Sequence, residues 1–371
     1  MRVSTRSTEI IEEAGPAWLE CEVALDAHGT PLPLFHRAIW ARAMNATGSR
    51  SAFIPIRAAD GTCRAGFALE VAASRALPGH RLVLIRRLGI GTGGIDAATL
   101  DAGLDAIGAR FGSAQSTLRI TVEAFALDPE SRQMTADALR HHGFTQVPMT
   151  QTYERTLLVD LRQSEDKLLA GFHKNTRQGI KNINRFPLIL TTAEASSLAP
   201  RLRDLSDKTR QRTGGRPREL DWDALIRMSK EAPYLSRIAV LQRTDVNESE
   251  SLLAFAWGSM QGQVAEYGES GSVGVTDMKV STTYALLWDL IRWGRRNGAH
   301  WFDLGGITSG RTHTEDPLGG ISDFKRRFSQ REVEVGQQWQ LEPHRARAVA
   351  ARLVSRSADV LRQGTRWFQR D

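Results

Sequence analysis

The alternation of apolar and polar residues divides the first half of the chain into strands and helices. Apolar residues at every second position predict strands, and apolar residues three and four apart predict helices. The dipeptide Asp60-Gly61 between two strand-like runs predicts a β-hairpin. The predicted elements, in order, are a helix at Pro33–Met44, the hairpin strands Ala52–Ile56 and Ala65–Val71, a strand at Arg81–Leu88, a helix at about Asp96–Phe111, a strand at Thr117–Ala124, a short helix near Ala136–His142 and a strand at Tyr153–Leu161.

The second half repeats this order. Its predicted elements are helices at Ser164–Asn184, Ser197–Gln211 and Trp222–Lys230, a hairpin of Arg237–Arg243 and Ser251–Ser259, a strand at Gln263–Glu269, a helix at Thr283–Arg296 and a strand at His300–Leu304. Both halves therefore contain a hairpin, a strand ending in glycines, a helix and a strand, which indicates a duplicated α/β unit. We predict a first unit at residues 1–152, a second at 153–342 and a basic helical tail at 343–371.

One stretch of the second unit concentrates candidate chemistry. The buried-strand pattern of Trp301–Leu304 runs into the glycine pair Gly305-Gly306. A polar loop follows, and then a short basic helix that carries Phe324 and Lys325. Because glycine lets the backbone approach a ligand closely, a strand that ends in glycines is a common place for a binding site. We therefore expect the functional site here.

Composition narrows the class of partner. Lys and Arg number 49 against 42 Asp and Glu, so the formal net charge is +7. This modest excess favours a polyanionic partner such as RNA, a nucleotide-linked substrate or a membrane surface. No apolar run is long enough to span a bilayer, and acidic residues interrupt the N-terminal stretch where a signal peptide needs an apolar core. We therefore expect a cytoplasmic protein that has no transmembrane segment and at most a peripheral membrane contact.

Cysteine and histidine patterns predict neither a metal site nor a covalent nucleophile. Cys21 and Cys63 lack the spacing of metal ligands, and we expect two buried free thiols. The nine histidines show no metal-ligand spacing either, and the chain contains no G-x-S-x-G motif. These patterns fit a reaction in which one substrate attacks the other directly.

Three motifs, taken with the repeat, resemble a known enzyme family. They are the basic segment His173–Lys181, the strand and turn Phe302–Gly306, and the Phe-Lys helix Gly320–Phe328. A hairpin followed by a strand that diverges at glycines before a helix resembles the GNAT acyltransferase fold. Two such units in one chain resemble the FemABX family, the tRNA-dependent aminoacyltransferases that build peptidoglycan cross-bridges. The resemblance implies an α/β (α+β) fold with two tandem GNAT-like units, each a mixed twisted sheet flanked by helices.

The resemblance also implies roles for residues of the glycine-turn stretch. Lys325 would stabilise the negative charge that forms on the carbonyl oxygen when an amine attacks an activated ester, and losing one such donor typically costs about a hundredfold or more in rate. Asp303 would accept the proton of the amine or orient Lys325. The alternatives are a solvated basic face for Lys325 and a purely structural strand end for Asp303.

The resemblance also implies which residues would line the cleft for the acyl donor. Gly305 and Gly306 would form its floor and Phe324 would contact the substrate. Tyr267 and Glu269 lie on the strand that should diverge and would line the cleft for the acyl donor. The alternative for both of these side chains is packing in the core or at its rim.

Two further segments are candidate phosphate sites. Lys174, Arg177 and Lys181 are three and four residues apart, so they lie on one face of a helix and suit the phosphates of a tRNA end or a nucleotide. A solvated surface helix explains the same spacing.

The glycine-rich segment after Arg86 is the second candidate. Gly89, Gly91 and Gly94 match the dinucleotide pattern G-x-G-x-x-G, but the preceding strands and the lack of an acidic strand end at the required distance argue against a Rossmann site. Arg86, Gly89 and Gly91 fit the R-x-x-G-x-G pyrophosphate loop of CoA-using GNAT enzymes, in which backbone N–H groups hold phosphates. Alternatively, the glycines only allow the strand end to turn.

The resemblance thus implies an N-acyltransferase that moves an aminoacyl group from aminoacyl-tRNA to an amine without a bound cofactor. The acceptor would be a peptidoglycan precursor or a peptide metabolite. Two other functions remain open. One is a GNAT N-acyltransferase that uses acyl-CoA as its donor, and the other is a non-catalytic protein on this fold that binds RNA or another polyanion.

Overall fold

The chain folds into two compact units, each with a mixed β-sheet and packed helices. The first unit comprises Met1–Met149 with Gln337–Asp371, and the second comprises Thr150–Gly336. The predicted fold class, two tandem GNAT-like units with mixed sheets flanked by helices, is confirmed. The residues that the computed structural model describes are 10–11, 15–45, 49–89, 96–149, 152–213, 220–273, 278, 281–310, 316 and 318–354.

The first unit has helices on both faces of its sheet. Its helices are α1 (Pro16–Ala27), α2 (Ala38–Asn45), α3 (Ala97–Ile107) and α4 (Pro129–His141). Its strands are β1 (Arg50–Arg57), β2 (Cys63–Ala73), β3 (Arg81–Leu88), β4 (Thr117–Phe125), β5 (Thr145–Val147) and, from the C-terminal part of the chain, β13 (Gly336–Leu341).

The core of this unit lies on both faces of the sheet because side chains alternate between the faces along each strand. Neighbouring residues point to opposite faces of a sheet, so Ile54 packs with the α3 residue Leu104 while Phe53 packs with the α1 residue Trp18. The sheet order is β1-β2-β3-β4-β13-β5. The predicted hairpin is confirmed, because β1 and β2 are antiparallel and Gly61 in their turn has a φ of 86°. Strands β3 and β4 are parallel, with a register shift between Ile85 and Leu88.

The two cysteines form a disulfide in this unit. Cys21 on α1 and Cys63 on β2 have Cα atoms 5.4 Å apart and are bonded through their sulfur atoms. The expectation of two free thiols is therefore wrong, although the expectation of burial is right, since both are nearly inaccessible. The pairing depends on the packing of α1 against the sheet, which spacing along the chain does not reveal.

The predicted boundary at residue 342 also differs from the structure. Strand β13 lies between β4 and β5 in the first unit's sheet, because the buried Trp339 belongs to the hydrophobic core of that unit. Pairing between strands that are distant in the sequence is not a local property, so the sequence does not specify which sheet this segment joins. In the tail predicted at 343–371, residues 345–354 are helical, with Ala348 and Ala351 buried, and residues 355–371 lie outside the described part of the chain.

The second unit follows the same plan. Its helices are α5 (Glu165–Gly171), α6 (Lys174–Asn182), α7 (Ala199–Thr213), α8 (Trp222–Glu231), α9 (Glu248–Ser251), α10 (Thr282–Arg296) and α11 (Gly319–Arg326). Its strands are β6 (Arg155–Asp160), β7 (Leu188–Thr192), β8 (Ser236–Arg243), β9 (Leu252–Gln261), β10 (Val264–Ser272), β11 (Trp301–Gly306) and β12 (Glu332–Glu334).

One interior strand of this sheet, β9, is covered on both faces. The order is β12-β6-β11-β10-β9-β8-β7. On β9, Phe255 packs against Trp222 of α8, while a Cβ at Gly258 would meet Leu290 and Trp293 of α10. Every residue of β9 is buried, as expected for a strand between two helical layers. The antiparallel β8-β9 pair, then β10, α10 and the parallel β11 match the order of β1-β2, β3, α3 and β4, so the predicted repeat is confirmed.

The predicted helix Ser164–Asn184 is interrupted. Helix α5 ends at Gly171, Phe172 is extended, and α6 begins at Lys174. The aromatic ring of Phe172 is buried against Trp288 and Phe328, and the backbone N–H of His173 donates to the Arg327 carbonyl at 2.8 Å. Burial of this ring replaces one helical turn with an extended residue. The apolar periodicity does not reveal this break, so it predicts one helix where the structure has two.

Candidate active site

The site lies where two parallel strands of the second unit separate. Strands β10 and β11 pair at three positions, the last of which joins Glu266 to Asp303, although β10 continues to Ser272. The register of β10 with β9 shifts between Tyr267 and Glu269, so β10 contains a β-bulge. Because neither strand pairs with the other beyond Glu266 and Asp303, side chains and backbone groups at this point face an opening in the sheet.

Lys325 reaches this opening from α11. Its Nζ atom donates a hydrogen bond to the Gly306 carbonyl at 2.7 Å, and only 7% of the residue is exposed. Burial lowers its pKa from 10.5 to about 8, and the charges of Asp303 and Glu266 act in the opposite direction. Lys325 is therefore largely an ammonium ion at neutral pH, but one that carries a desolvation cost. The alternative of a solvated basic face does not fit this placement.

Two carboxyl groups lie beside the ammonium group. Asp303 on β11 is 1% exposed and Glu266 on β10 is 6% exposed. The Tyr153 hydroxyl lies between them, 3.0 Å from Asp303 Oδ2 and 3.1 Å from Glu266 Oε1. The other Asp303 oxygen accepts hydrogen bonds from the Gly305 N–H, at 2.7 Å, and from the Thr156 hydroxyl. The site thus combines one buried cation with two buried carboxyls and a bridging phenol.

The glycine pair is required by close contacts. Gly305 has a φ of 76°, and a Cβ there would lie 3.2 Å from Lys325 Nζ. A Cβ at Gly306 would lie 2.6 Å from the Cβ of Tyr153, which is closer than side chains approach. The pair therefore lets the chain turn between Lys325 and Tyr153, consistent with its predicted place at the floor of the site.

The other predicted residues of the cleft have separate environments. The Tyr267 ring centroid lies 5.8 Å from Lys325 Nζ, and burial raises the pKa of Tyr267 to about 12, so its hydroxyl stays protonated. Phe324 stacks on Tyr284, with ring centroids 5.5 Å apart. Glu269 instead pairs with α7: it accepts from Ser206 at 2.9 Å and from Arg210 Nε at 3.0 Å. This ion pair holds α7 against β10, which favours the structural alternative for Glu269.

The predicted basic face of α6 contains two exposed lysines and one arginine that is hydrogen-bonded to the backbone. Lys174 and Lys181 are exposed and seven residues apart, about two helical turns. Arg177 is half-buried and donates to the carbonyls of Ala170, at 3.1 Å, and Phe172. Its guanidinium therefore stabilises the chain between α5 and α6, and the two lysines are left as the candidate contacts for phosphate.

The candidate phosphate loop of the first unit is only partly described. Arg86 forms an ion pair with Glu70 at 2.8 Å and lies 3.7 Å from Glu123, which places its guanidinium among carboxylates and argues against a contact with phosphate. Gly89 has a φ of 99°, and a Cβ there would be 3.1 Å from the Phe125 carbonyl, so a turn explains this glycine. Gly91 lies outside the described residues.

Sequence reasoning missed Glu266, Tyr153 and Thr156. Glu266 interrupts an otherwise apolar strand start, and it directly precedes Tyr267 on the strand that was expected to diverge. An acid in such a run is a signal that could have been used, because a buried carboxyl needs a partner. Tyr153 and Thr156 belong to β6 and the residues before it, and the sequence gives no sign that β6 pairs with β11.

Two kinds of feature are not found within the described ranges. They contain no group of three or more His, Cys, Asp or Glu side chains that could hold a metal ion. Among the helices of those ranges, none is long and apolar enough to cross a membrane.

Comparison with known proteins supports the fold. No protein-family model matches the chain, and no curated protein matches it. Among solved structures, FemX superposes with a TM-score of 0.69 at 14% identity, covering 90% of this chain and 97% of FemX. L-PGS from Bacillus licheniformis superposes with a TM-score of 0.50 at 15% identity, covering 94% of this chain and 98% of that one. The chain therefore has the FemABX/GNAT-like acyltransferase fold.

Proposed function

We propose that this protein is an N-acyltransferase that transfers an aminoacyl group from aminoacyl-tRNA to an amine. The observation that carries the proposal is the buried Lys325 ammonium beside Asp303 and Glu266 where β10 and β11 separate. Burying one cation and two carboxyls is expensive, and strongly perturbed groups of this kind concentrate at functional sites. Such a cluster favours catalysis over binding alone.

The geometry suits direct attack of an amine on an ester. As the amine nitrogen bonds to the carbonyl carbon, negative charge forms on the carbonyl oxygen, and the Lys325 ammonium stabilises it in a site of low dielectric constant. The Asp303 carboxylate accepts the proton that the amine loses. The ester oxygen then leaves and takes a proton from Asp303, which restores the carboxylate, so the products are an amide and a free hydroxyl group, and no bond to the enzyme forms.

Aminoacyl-tRNA is favoured as donor by three observations. The three motifs resemble those of the tRNA-dependent FemABX enzymes, and 90% of the chain is covered by the superposition on FemX. Lys174 and Lys181 present two exposed charges on one face of α6, in the same unit as Lys325. Arg86 forms an ion pair with Glu70, whereas a CoA site of the R-x-x-G-x-G kind would use this arginine to bind phosphate. The acceptor class that the resemblance implies is a peptidoglycan precursor or a peptide.

A transfer assay tests the donor. Purified protein is incubated with amine acceptors and either tRNA charged with labelled amino acids or labelled acyl-CoA. We expect label in the acceptor only with charged tRNA. Transfer from acyl-CoA alone would replace the donor in this proposal, and binding of tRNA without transfer to any acceptor would favour the non-catalytic function.

A binding assay tests the lysine pair separately. If Lys174 and Lys181 each contact one phosphate, replacing both with alanine reduces the magnitude of the slope of log affinity for tRNA against log salt concentration by about 1.4 to 1.8. Lys230→Ala, which removes an exposed lysine at the end of α8, serves as the control and should leave the slope unchanged. Equal slopes for all three proteins would remove α6 from the tRNA site.

A further inference from the structure

The first unit contains a cavity of about 550 Å³ on the face of its sheet that points away from α3. Ala72 of β2 and Leu82 of β3 are paired in the sheet, and both line the cavity. The adjacent pair, Val71 and Val83, points to the opposite face, where it packs in the core with α3. Sites for small molecules usually measure about 300–1,000 Å³, so this cavity is large enough to hold one.

The helical segment 345–354 forms a second wall of the cavity. Ala348 and Ala351 are three residues apart, so they lie on one face of the helix, and both line the cavity. Arg352 of this segment forms an ion pair with Glu342, which holds the helix beside the end of β13. Because the alanine side chains are short, they leave space between the helix and the sheet.

Two further arginines line the cavity on the side of the sheet. The register of β3 with β4 shifts between Arg81 and Leu82, where β4 has one additional residue, and Leu118 and Arg119 both lie beside the cavity at this bulge. Arg75 lines the cavity just beyond the end of β2. Neither Arg75 nor Arg119 has a hydrogen bond or an ion pair with another described residue. The cavity therefore combines a wall of alanine and leucine with two unpaired positive charges, of which Arg119 is half-buried.

We propose that this cavity binds a single-chain amphiphile with a carboxylate head group. The hydrocarbon chain lies between the sheet and the helical segment 345–354, and the carboxylate accepts hydrogen bonds from the guanidinium of Arg119, a pairing that is commonly bidentate. This site is separate from the acyl-transfer reaction proposed above, and its test needs no turnover.

The lining of the cavity favours this ligand over other anions. A hydrocarbon chain has no polar groups, whereas a bound peptide would bring backbone N–H and C=O groups that alanine and leucine side chains leave unpaired. Among the described residues that line the cavity, none is aromatic, so a nucleotide base has no ring on which to stack. The space is enclosed between a helix and a sheet, which admits one chain but not the surface of a membrane.

A series of fatty acids tests the apolar part of the site. The full-length protein is titrated with hexanoate, octanoate and decanoate in a calorimeter. Each CH₂ group that the cavity buries should raise the affinity about fourfold, so we expect a gain of about 15-fold for each step of two CH₂ groups. Equal affinities for the three acids would show a contact with the carboxylate alone and would overturn the proposal, as would no binding of decanoate.

Two variants test the position of the ligand. Arg119→Met removes the charge and keeps an unbranched side chain, so we expect the affinity for decanoate to fall about tenfold or more, as for the loss of a hydrogen bond to a charged group. Ala348→Leu fills part of the cavity and should also weaken binding. Arg64→Met, which replaces an exposed arginine of β2 outside the cavity, is the matched control and should bind decanoate as the wild type does.

The contradicting results are equally definite. Unchanged affinity for decanoate in folded Arg119→Met would overturn the proposal, and this variant decides the question even if Ala348→Leu does not fold. Binding of the wild type to vesicles of phosphatidylglycerol, without binding of free decanoate, would assign the arginines to a membrane surface and would also overturn it.

Discussion

The buried ammonium of Lys325 should leave a signature in the pH dependence of stability. Its pKa is lowered to about 8 in the folded protein, whereas the unfolded chain has the ordinary value of 10.5. Between these values the unfolded state binds more protons than the folded state, so the free energy of unfolding rises with pH. Below the lower value the desolvation cost is present in full. The replacement Lys325→Met removes the titrating group and keeps a side chain of similar length.

The size of the effect follows from the two pKa values. From about pH 7 to about pH 9.5, the Lys325 contribution raises the free energy of unfolding by about 2 kcal/mol. Urea unfolding gives the free energy of unfolding of the wild type and of Lys325→Met at both pH values. The change between the two pH values is then compared between the proteins, so that ionisations common to both cancel. We expect the wild type to gain about 2 kcal/mol relative to the variant over this range.

A control separates this effect from general changes at high pH. Lys230 is exposed at the end of α8, so Lys230→Met should follow the wild type at both pH values. If wild type and Lys325→Met show the same pH dependence, Lys325 is not held as a desolvated ammonium, and the argument that the site is built around a buried cation is refuted.

Three further outcomes follow from contacts elsewhere. Gly306→Ala places a Cβ 2.6 Å from that of Tyr153, so we expect about 1–3 kcal/mol of destabilisation by urea unfolding; an unchanged midpoint would contradict the close contact. Arg210→Met leaves the buried Glu269 carboxylate without this partner and should cost about 3–5 kcal/mol, much of which Glu269→Gln in the same protein should restore. Reducing the Cys21–Cys63 disulfide, which links residues 42 positions apart, should cost about 4 kcal/mol, seen as a lower melting temperature with reductant; equal melting temperatures would show that the bond does not stabilise the fold.

The sequence predicts those features of the fold that depend on local pattern. Strand-like apolar runs identify β3, β4, β10 and β11, and the glycines mark where strands end or bulge. The order of these elements is enough to identify the duplicated unit. The partner of a strand is not a local property, which is why the sequence predicts a second unit that ends at residue 342 although Trp339 of β13 packs in the core of the first.

The same distinction applies to the site. Lys325 and Asp303 could be predicted because each lies in a short motif with a glycine pair or a phenylalanine beside it. Glu266 and Tyr153 join them only through the register of β10 and β11 and the position of β6 in the sheet. Arg86 shows the converse, since its motif suggests a phosphate site whereas the structure pairs it with a carboxylate.

The most direct test of the central claim is a single-turnover measurement on the Lys325 ammonium. Wild type, Lys325→Met and Lys230→Met are mixed in excess with tRNA that carries a labelled amino acid and with the amine acceptor, and the rate of amide formation is followed. Since the ammonium stabilises the charge on the carbonyl oxygen, we expect Lys325→Met to be slower by about a hundredfold or more and Lys230→Met to match the wild type. Equal rates for wild type and a folded Lys325→Met protein would contradict the assignment of this site to acyl transfer.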